Sequence, residues 1–304
     1  MTFCAAPTGF MASAPAGKIV LAIPNVGTAG AFFDGVAWAS TTLPVSGSPW
    51  VNIVYGNGSF LAVQNASATG ALYSSGAWAS VTLPSSAITF ITFANGVFLA
   101  ASLFDASTSR VYTSPTGATG SWTAATTLPS GSGVGGGGVY AGAYGNGVWV
   151  LCSGGTTTVW YSSNLAGAWS TATATQIING QIAYGAGTFS GVKVDSSVGS
   201  ASANGSSWSN WTSVGGVRTL VYGGIFAGNS QTSSAAITSS NGTTYSSFTL
   251  ASSMNALVYS PSLGVFFALP TTTGTTAYSS ANGSTYTTTA ALPSSQTWTY
   301  LAAA

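Results

Sequence analysis

The stretch VYGNGSFLAV at positions 54–63 is written again as TFANGVFLAA from Thr92 and as AYGNGVWVLC from Ala143. A phrase repeated at long range constrains a fold more than any single residue, because each copy must build the same local unit. Its aromatic recurs as Tyr55, Phe93, Tyr144, Tyr184, Tyr222 and Tyr259, in steps of 38, 51, 40, 38 and 37 residues. A second phrase follows each first one: YSSGAW, YTSPTGATGSW, YSSNLAGAW, SANGSSW, TSSNGTTY and YSSANGSTY. These close on Trp78, Trp122, Trp169, Trp208, Tyr245 and Tyr286, and an earlier copy, FFDGVAW, closes on Trp38. Seven units result. A Leu-Pro pair after the second phrase marks four of them, at Leu43, Leu83, Leu128 and Leu292.

Each unit parses into four short strands, A to D. The GNG of the first phrase suits a tight A–B hairpin, since Asn and Gly tolerate positive φ. The NG or SG of the second phrase makes the C–D hairpin, and a variable polar loop joins B to C. Two hairpins per period of about 40 residues mean antiparallel sheets repeated in a ring, so the expected fold is all-β, a seven-bladed β-propeller. The repeated aromatics are expected to pack between adjacent sheets. The first unit begins with an apparent strand B, while SSQTWTYLAAA at the far end reads as a strand A with no partner. Docking 298–303 beside 18–23 would close the ring and remove an open sheet edge. In a rival registration, TGFMASAPAGKIVLA supplies its own strand A, with Pro15 counting against it. The expected organisation is an N-terminal arm over 1–16 and a propeller over 17–304. Its blades fall at 17–49 with 296–304, 50–87, 88–135, 136–176, 177–214, 215–252 and 253–295.

Composition narrows the chemistry. The 304 residues include four Lys or Arg, three Asp, no Glu and no His, for a net charge of +1. Charged residues make up 2% of the chain, against roughly a quarter in ordinary soluble domains. With 12% aromatic and 46% hydrophobic residues the chain is expected to fold rather than stay disordered. No basic patch suits nucleic acid, and no apolar run is long enough for a transmembrane helix. The N-terminus lacks the basic segment of a secretory signal ahead of Lys18. Cys152, inside VWVLC, reads as an inert buried thiol; a bridge from Cys4 to Cys152 is the alternative.

Without His the commonest general base is missing, and the many serines have nothing to activate them. Asp34, Asp105 and Asp195 fall on different blades and cannot readily form an acid–base pair. The run GSGVGGGGV from Gly131 lacks the Lys and helix of a phosphate loop and reads as a connection between blades. The expectation is a non-enzymatic protein with no cofactor and no metal.

The second phrase resembles a degenerate Asp-box, S-x-D-x-G-x-x-W, of the bacterial neuraminidase repeat, with Asn204, Asn241 and Asn282 in place of the aspartate. Sialidase chemistry would need an arginine cluster and a Tyr–Glu pair, which this chain lacks. Together the two phrases are similar to propeller repeats of bacteriophage virion and tail-fibre proteins, over about residues 17 to 303. The resemblance implies a virion structural protein, a tail fibre or receptor-binding component, with other virion proteins as partners and a host-surface glycan or protein as a further one. It competes with a capsid decoration protein and with a lectin-like propeller at an extracellular or cell-surface location.

Departures from the repeat collect on one face. Asp105 and Arg110 fall in the B–C loop of the third blade, and Lys193 and Asp195 in that of the fifth. Arg218 stands at the entry to the sixth blade, so five of the seven charges map to the face formed by the B–C and D–A connections. Trp211 follows Trp208 without a counterpart in other blades. The plain reading is that loops hold what is polar and that Lys193 pairs with Asp195 at the surface. The sharper one makes Trp211, Arg218, Lys193 and Asp195 a ligand-binding patch anchored by Trp211.

Overall fold

The computed structural model of the chain describes residues 17–102, 110–129 and 138–304. They form seven four-stranded antiparallel sheets, with no helix among the described residues. Strand A is innermost in every sheet. In blades two to seven it spans Trp50–Gly56, Ile88–Ala94, Val139–Gly145, Ile182–Gly185, Thr219–Tyr222 and Met254–Ser260. Neighbouring inner strands pack side by side all the way round, so the sheets are the blades of a closed propeller.

Closure occurs as the sequence leads one to expect. In blade one, strand A is Trp298–Ala303, followed outward by Val20–Pro24, Ala29–Phe33 and Trp38–Thr42. Val20 lies opposite Ala303, Leu21 opposite Ala302 and Ala22 opposite Leu301. The rival registration is therefore overturned: the inner side of Val20–Pro24 is already paired with the far end of the chain.

The repeated phrases do two separate jobs. Asn57, Asn95 and Asn146 have φ of 47°, 50° and 50°, and the glycines after them are also left-handed, as the A–B hairpins require. The glycine that closes strand A, Gly56, Gly145 or Gly185, serves packing instead. A Cβ on Gly56, Gly145 or Gly185 would stand about 2 Å from the ring of Phe93, Tyr184 or Tyr222 in the next blade. In the second phrase, Asn204 Oδ1 accepts from the N–H groups of Ser206 and Ser207, and Asn241 and Asn282 repeat this with their own turns. These turns are held without any charge. Trp78 Nε1 donates to Thr41 Oγ1 of the preceding blade, and Trp38 Nε1 donates to Thr289 Oγ1 across the closure.

The core is a set of wedges, each between two neighbouring blades. Between blades one and two, Leu21, Phe32 and Leu43 meet Trp50, Ile53, Phe60 and Tyr73. Each such side chain contributes about 1.5–3 kcal/mol by leaving water. The Leu-Pro leucines belong here: Leu43, Leu83, Leu128 and Leu292 are all buried. Cys152 packs among Ala141, Val150, Ile178 and Phe189, and burial pushes its thiol well above the ordinary range. Cys4, the arm over 1–16 and most of the glycine run from Gly131 lie outside the described residues.

One difference bears on the site. The expected break between blades five and six was at 214/215, yet strand D of blade five runs Ser209–Val217. Its register slips: Val198 faces Thr212, but Ser196 faces Val217, so residues 213–216 bulge out. The chain then needs only Arg218 to reach the next strand, Thr219–Tyr222.

Candidate functional site

Antiparallel order puts the A–B and C–D turns on one face of the ring and the B–C and D–A connections on the other. The turn face engages its charges internally. Lys18 Nζ lies 4.4 Å above the Phe32 ring and 5.4 Å from that of Tyr73. Asp34 Oδ1 accepts from the N–H groups of Val36 and Ala37 within its own turn. These bonds, Ala37 first, hold its carboxyl below the usual range.

The loop face is built differently. Asp105 lies outside the described residues, and Arg110 opens strand C of blade three, Arg110–Ser114. Lys193 and Asp195 do occupy the B–C loop of blade five, between strands Thr188–Val192 and Ser196–Ser202. Asp195 takes a left-handed backbone, φ 54°. Its Oδ1 accepts from Thr232 Oγ1 at 3.1 Å, tying this loop to the B–C loop of blade six in place of the expected pair with Lys193. Asn179 Oδ1 braces the same loop by accepting from Val194 N–H at 2.9 Å. The bulge of strand D leans on it as well: a Cβ on Gly216 would stand 2.4 Å from the Asp195 carbonyl carbon.

Trp211 does not belong to the surface patch. It is 2% exposed and sits in the wedge between blades five and six with Val192, Leu220, Phe226 and Ile237. Its ring is 4.3 Å from that of Tyr245. The reason is register: Trp211 faces Gly199 across the strands, and the indole fills the space that glycine leaves open. The extra tryptophan is a core residue, and the expected anchor is corrected accordingly.

Arg218 is exposed, at the loop-face end of an inner strand. Counted back from the aromatics Tyr144 and Tyr222 of the first phrase, Tyr140 and Arg218 hold the same position. Tyr140 is 49% exposed. The positive charge of Arg218 acts on the hydroxyl of Tyr300, in the inner strand of blade one; it partly offsets the burial that raises that phenol. Arg218 and Tyr300 are thus coupled between inner strands, whereas the Tyr140 ring covers Gly154 of its own blade. The sequence offered no direct sign of either tyrosine; alignment on the first-phrase aromatic places Tyr140, while Tyr300 follows only from the pairing of Trp298–Ala303 with Val20–Pro24. Deeper in the fold, Asn229 is buried at the position Val63 occupies in blade two, and its amide has no hydrogen-bond partner among the described residues.

Among the described residues no three His, Cys, Asp or Glu side chains gather as a metal set, and no helix is long and apolar enough to cross a membrane. No protein-family model and no curated protein matches this chain. Solved structures of like fold exist at low identity. Streptogramin B lyase matches with 10% identity and a TM-score of 0.65, over 83% of this chain and 86% of that one. YCF48 bound to D1 peptide matches with 13% identity and a TM-score of 0.58, over 86% and 87%. The WD40 β-propeller domain of Doa1 matches with 14% identity and a TM-score of 0.57, over 84% and 86%. At such identities the likeness establishes the propeller fold alone.

Proposed function

We propose that this chain is a non-enzymatic binding propeller of a bacteriophage particle, a tail-fibre or receptor-binding component, which meets a protein or glycan partner through its loop face at the junction of blades five and six. The observation that carries the reading is the unequal treatment of charge on the two faces. The turn face consumes Lys18 and Asp34 in its own contacts, whereas the loop face leaves Arg218 exposed beside a braced Lys193–Asp195 loop. Binding residues collect on loops that a rigid scaffold positions.

YCF48, of like fold, has been solved bound to D1 peptide, which supports binding as a use of this architecture. Streptogramin B lyase marks the fold as one that also hosts catalysis. The non-enzymatic reading is supported by this chain's lack of His and Glu and by the separation of its aspartates. Its assignment to a particle is supported by the likeness of the paired phrases to virion propeller repeats. Quantitative mass spectrometry of the purified source particle tests it. A few copies per particle is the expected result; many copies would make it a decoration protein, and absence from any particle would overturn the virion assignment.

A further inference from the structure

Seven Asn-Gly pairs stand in the chain, beginning at Asn57, Asn95, Asn146, Asn179, Asn204, Asn241 and Asn282. With no Cβ on the following residue, its backbone nitrogen is open to the Asn side chain. The seven differ in what holds them. Asn204, Asn241 and Asn282 each tie Oδ1 to two N–H groups of their own C–D turns. The N–H groups of Gly205 and Gly242 are also taken, by Ser202 Oγ and Ser239 Oγ, each at 2.9 Å. On the loop face, Asn179 Oδ1 accepts from Val194 N–H, and Gly180 N–H donates to the Val192 carbonyl at 3.1 Å. Asn57 Nδ2 donates across a blade junction to the carbonyls of Gly96 at 3.0 Å and Pro115 at 2.7 Å. Asn95 and Asn146 sit in the same kind of hairpin, with φ of 50° against 47° at Asn57. Yet their side chains, and the N–H groups of Gly96 and Gly147, make no hydrogen bond among the described residues. All four of these residues are exposed.

We propose that Asn95 and Asn146 are sites of a spontaneous modification, deamidation through a succinimide. The backbone nitrogen of Gly96 or Gly147 attacks the side-chain carbonyl carbon of the Asn before it. The bond from that carbon to Nδ2 breaks, and ammonia leaves with the proton of the attacking N–H. Water then opens the imide at either carbonyl and yields aspartate or isoaspartate. To reach the imide, the Asn must turn its side chain and its backbone out of the left-handed conformation. At the other five pairs at least two hydrogen bonds must open first. Each event adds one negative charge, so the two together take the net charge from +1 to −1. Both positions lie in A–B hairpins, of blades three and four, so the turn face becomes acidic with age while the loop face keeps its charge. The inference does not depend on the binding role proposed for the loop face.

Incubation of the intact chain in mildly alkaline buffer tests this, read by chymotryptic peptide mapping that separates aspartate from isoaspartate. Asn95 and Asn146 should convert about tenfold faster than the other five, the scale set by the hydrogen bonds those five must open. In urea the seven rates should converge, because the fold alone sets their order. Isoelectric focusing should bring the aged protein to the position of the Asn95→Asp, Asn146→Asp double variant. Conversion of Asn57 or of a C–D turn asparagine as fast as Asn95 and Asn146 would overturn the proposal. So would a folded chain in which all seven stay intact while the urea-unfolded chain converts, or the same order of rates in urea as in the folded chain.

Discussion

The ring of Phe93 lies directly over Gly56 of the preceding blade, so close that a Cβ on Gly56 would stand 2.1 Å from its Cγ. Tyr184 on Gly145, Tyr222 on Gly185 and Tyr259 on Gly223 repeat the relationship. Four of the seven blade junctions are therefore docked through an aromatic placed on a glycine. Gly56→Ala should destabilise the protein by about 1–3 kcal/mol, the usual cost of overpacking. Combined with Phe93→Leu, the same change should cost much less, since the two residues share one contact. Urea unfolding of the four proteins measures the coupling; strictly additive effects would contradict the packing role.

Ring closure depends on a strand far from its partner in sequence. Deleting 296–304 removes Trp298, which is 2% exposed, and uncovers the edge of Val20–Pro24. The loss should reach several kcal/mol, a large part of the stability of an ordinary domain. Calorimetry should show the whole transition moving to lower temperature. An unchanged melting curve would mean that the ring does not need this strand.

Trp211 and Arg218 should respond in opposite ways. Trp211→Ala empties part of a packed wedge and should cost about 3–5 kcal/mol. Arg218→Ala trims an exposed side chain and should change stability by less than about 0.5 kcal/mol. Thermal unfolding of both variants decides, and equal destabilisation would contradict the placement of Arg218.

The pH dependence of stability should be one-sided. Burial raises the phenols of Tyr245 and Tyr286 and the thiol of Cys152 above their ordinary values. Groups raised in the folded state contribute fully below their unfolded pKa and lose that contribution as pH climbs past it. Asp34 is shifted the other way, by the Ala37 and Val36 N–H groups, so its contribution is lost only as pH falls below the ordinary carboxylate range. With no His to titrate between, Tm should stay nearly flat from about pH 5 to 8 and fall from about 9 upward, first through the Cys152 thiol and then through the phenols. A drop between pH 5 and 8 would contradict this.

The fold was legible because its turns and its packing are written in the same short phrases. Asn57 and Gly58 announce a hairpin by their backbone needs, and the period between phrases counts the blades. Trp211 was misread because its role is set across the sheet. Gly199, twelve residues earlier, leaves the space that its indole fills, and a one-dimensional alignment of aromatics does not register that pairing. The bulge at 213–216 likewise hides in a spacing close to the repeat, although it is what leaves Arg218 alone between two strands. Lys193 and Asp195 were placed correctly on their loop, while the Asp195–Thr232 bond depends on how neighbouring blades meet.

The chain has two lysines, and they stand on opposite faces: Lys18 over the rings of the turn face and Lys193 on the loop face. Amine-reactive cross-linking of the intact particle, followed by mass spectrometry, therefore reads directly which face meets a partner. Cross-links from Lys193 to a partner protein, or protection of Lys193 beneath it, are expected, with Lys18 left free to label. Partner cross-links through Lys18, with Lys193 free, would place the contact on the turn face and contradict the central claim.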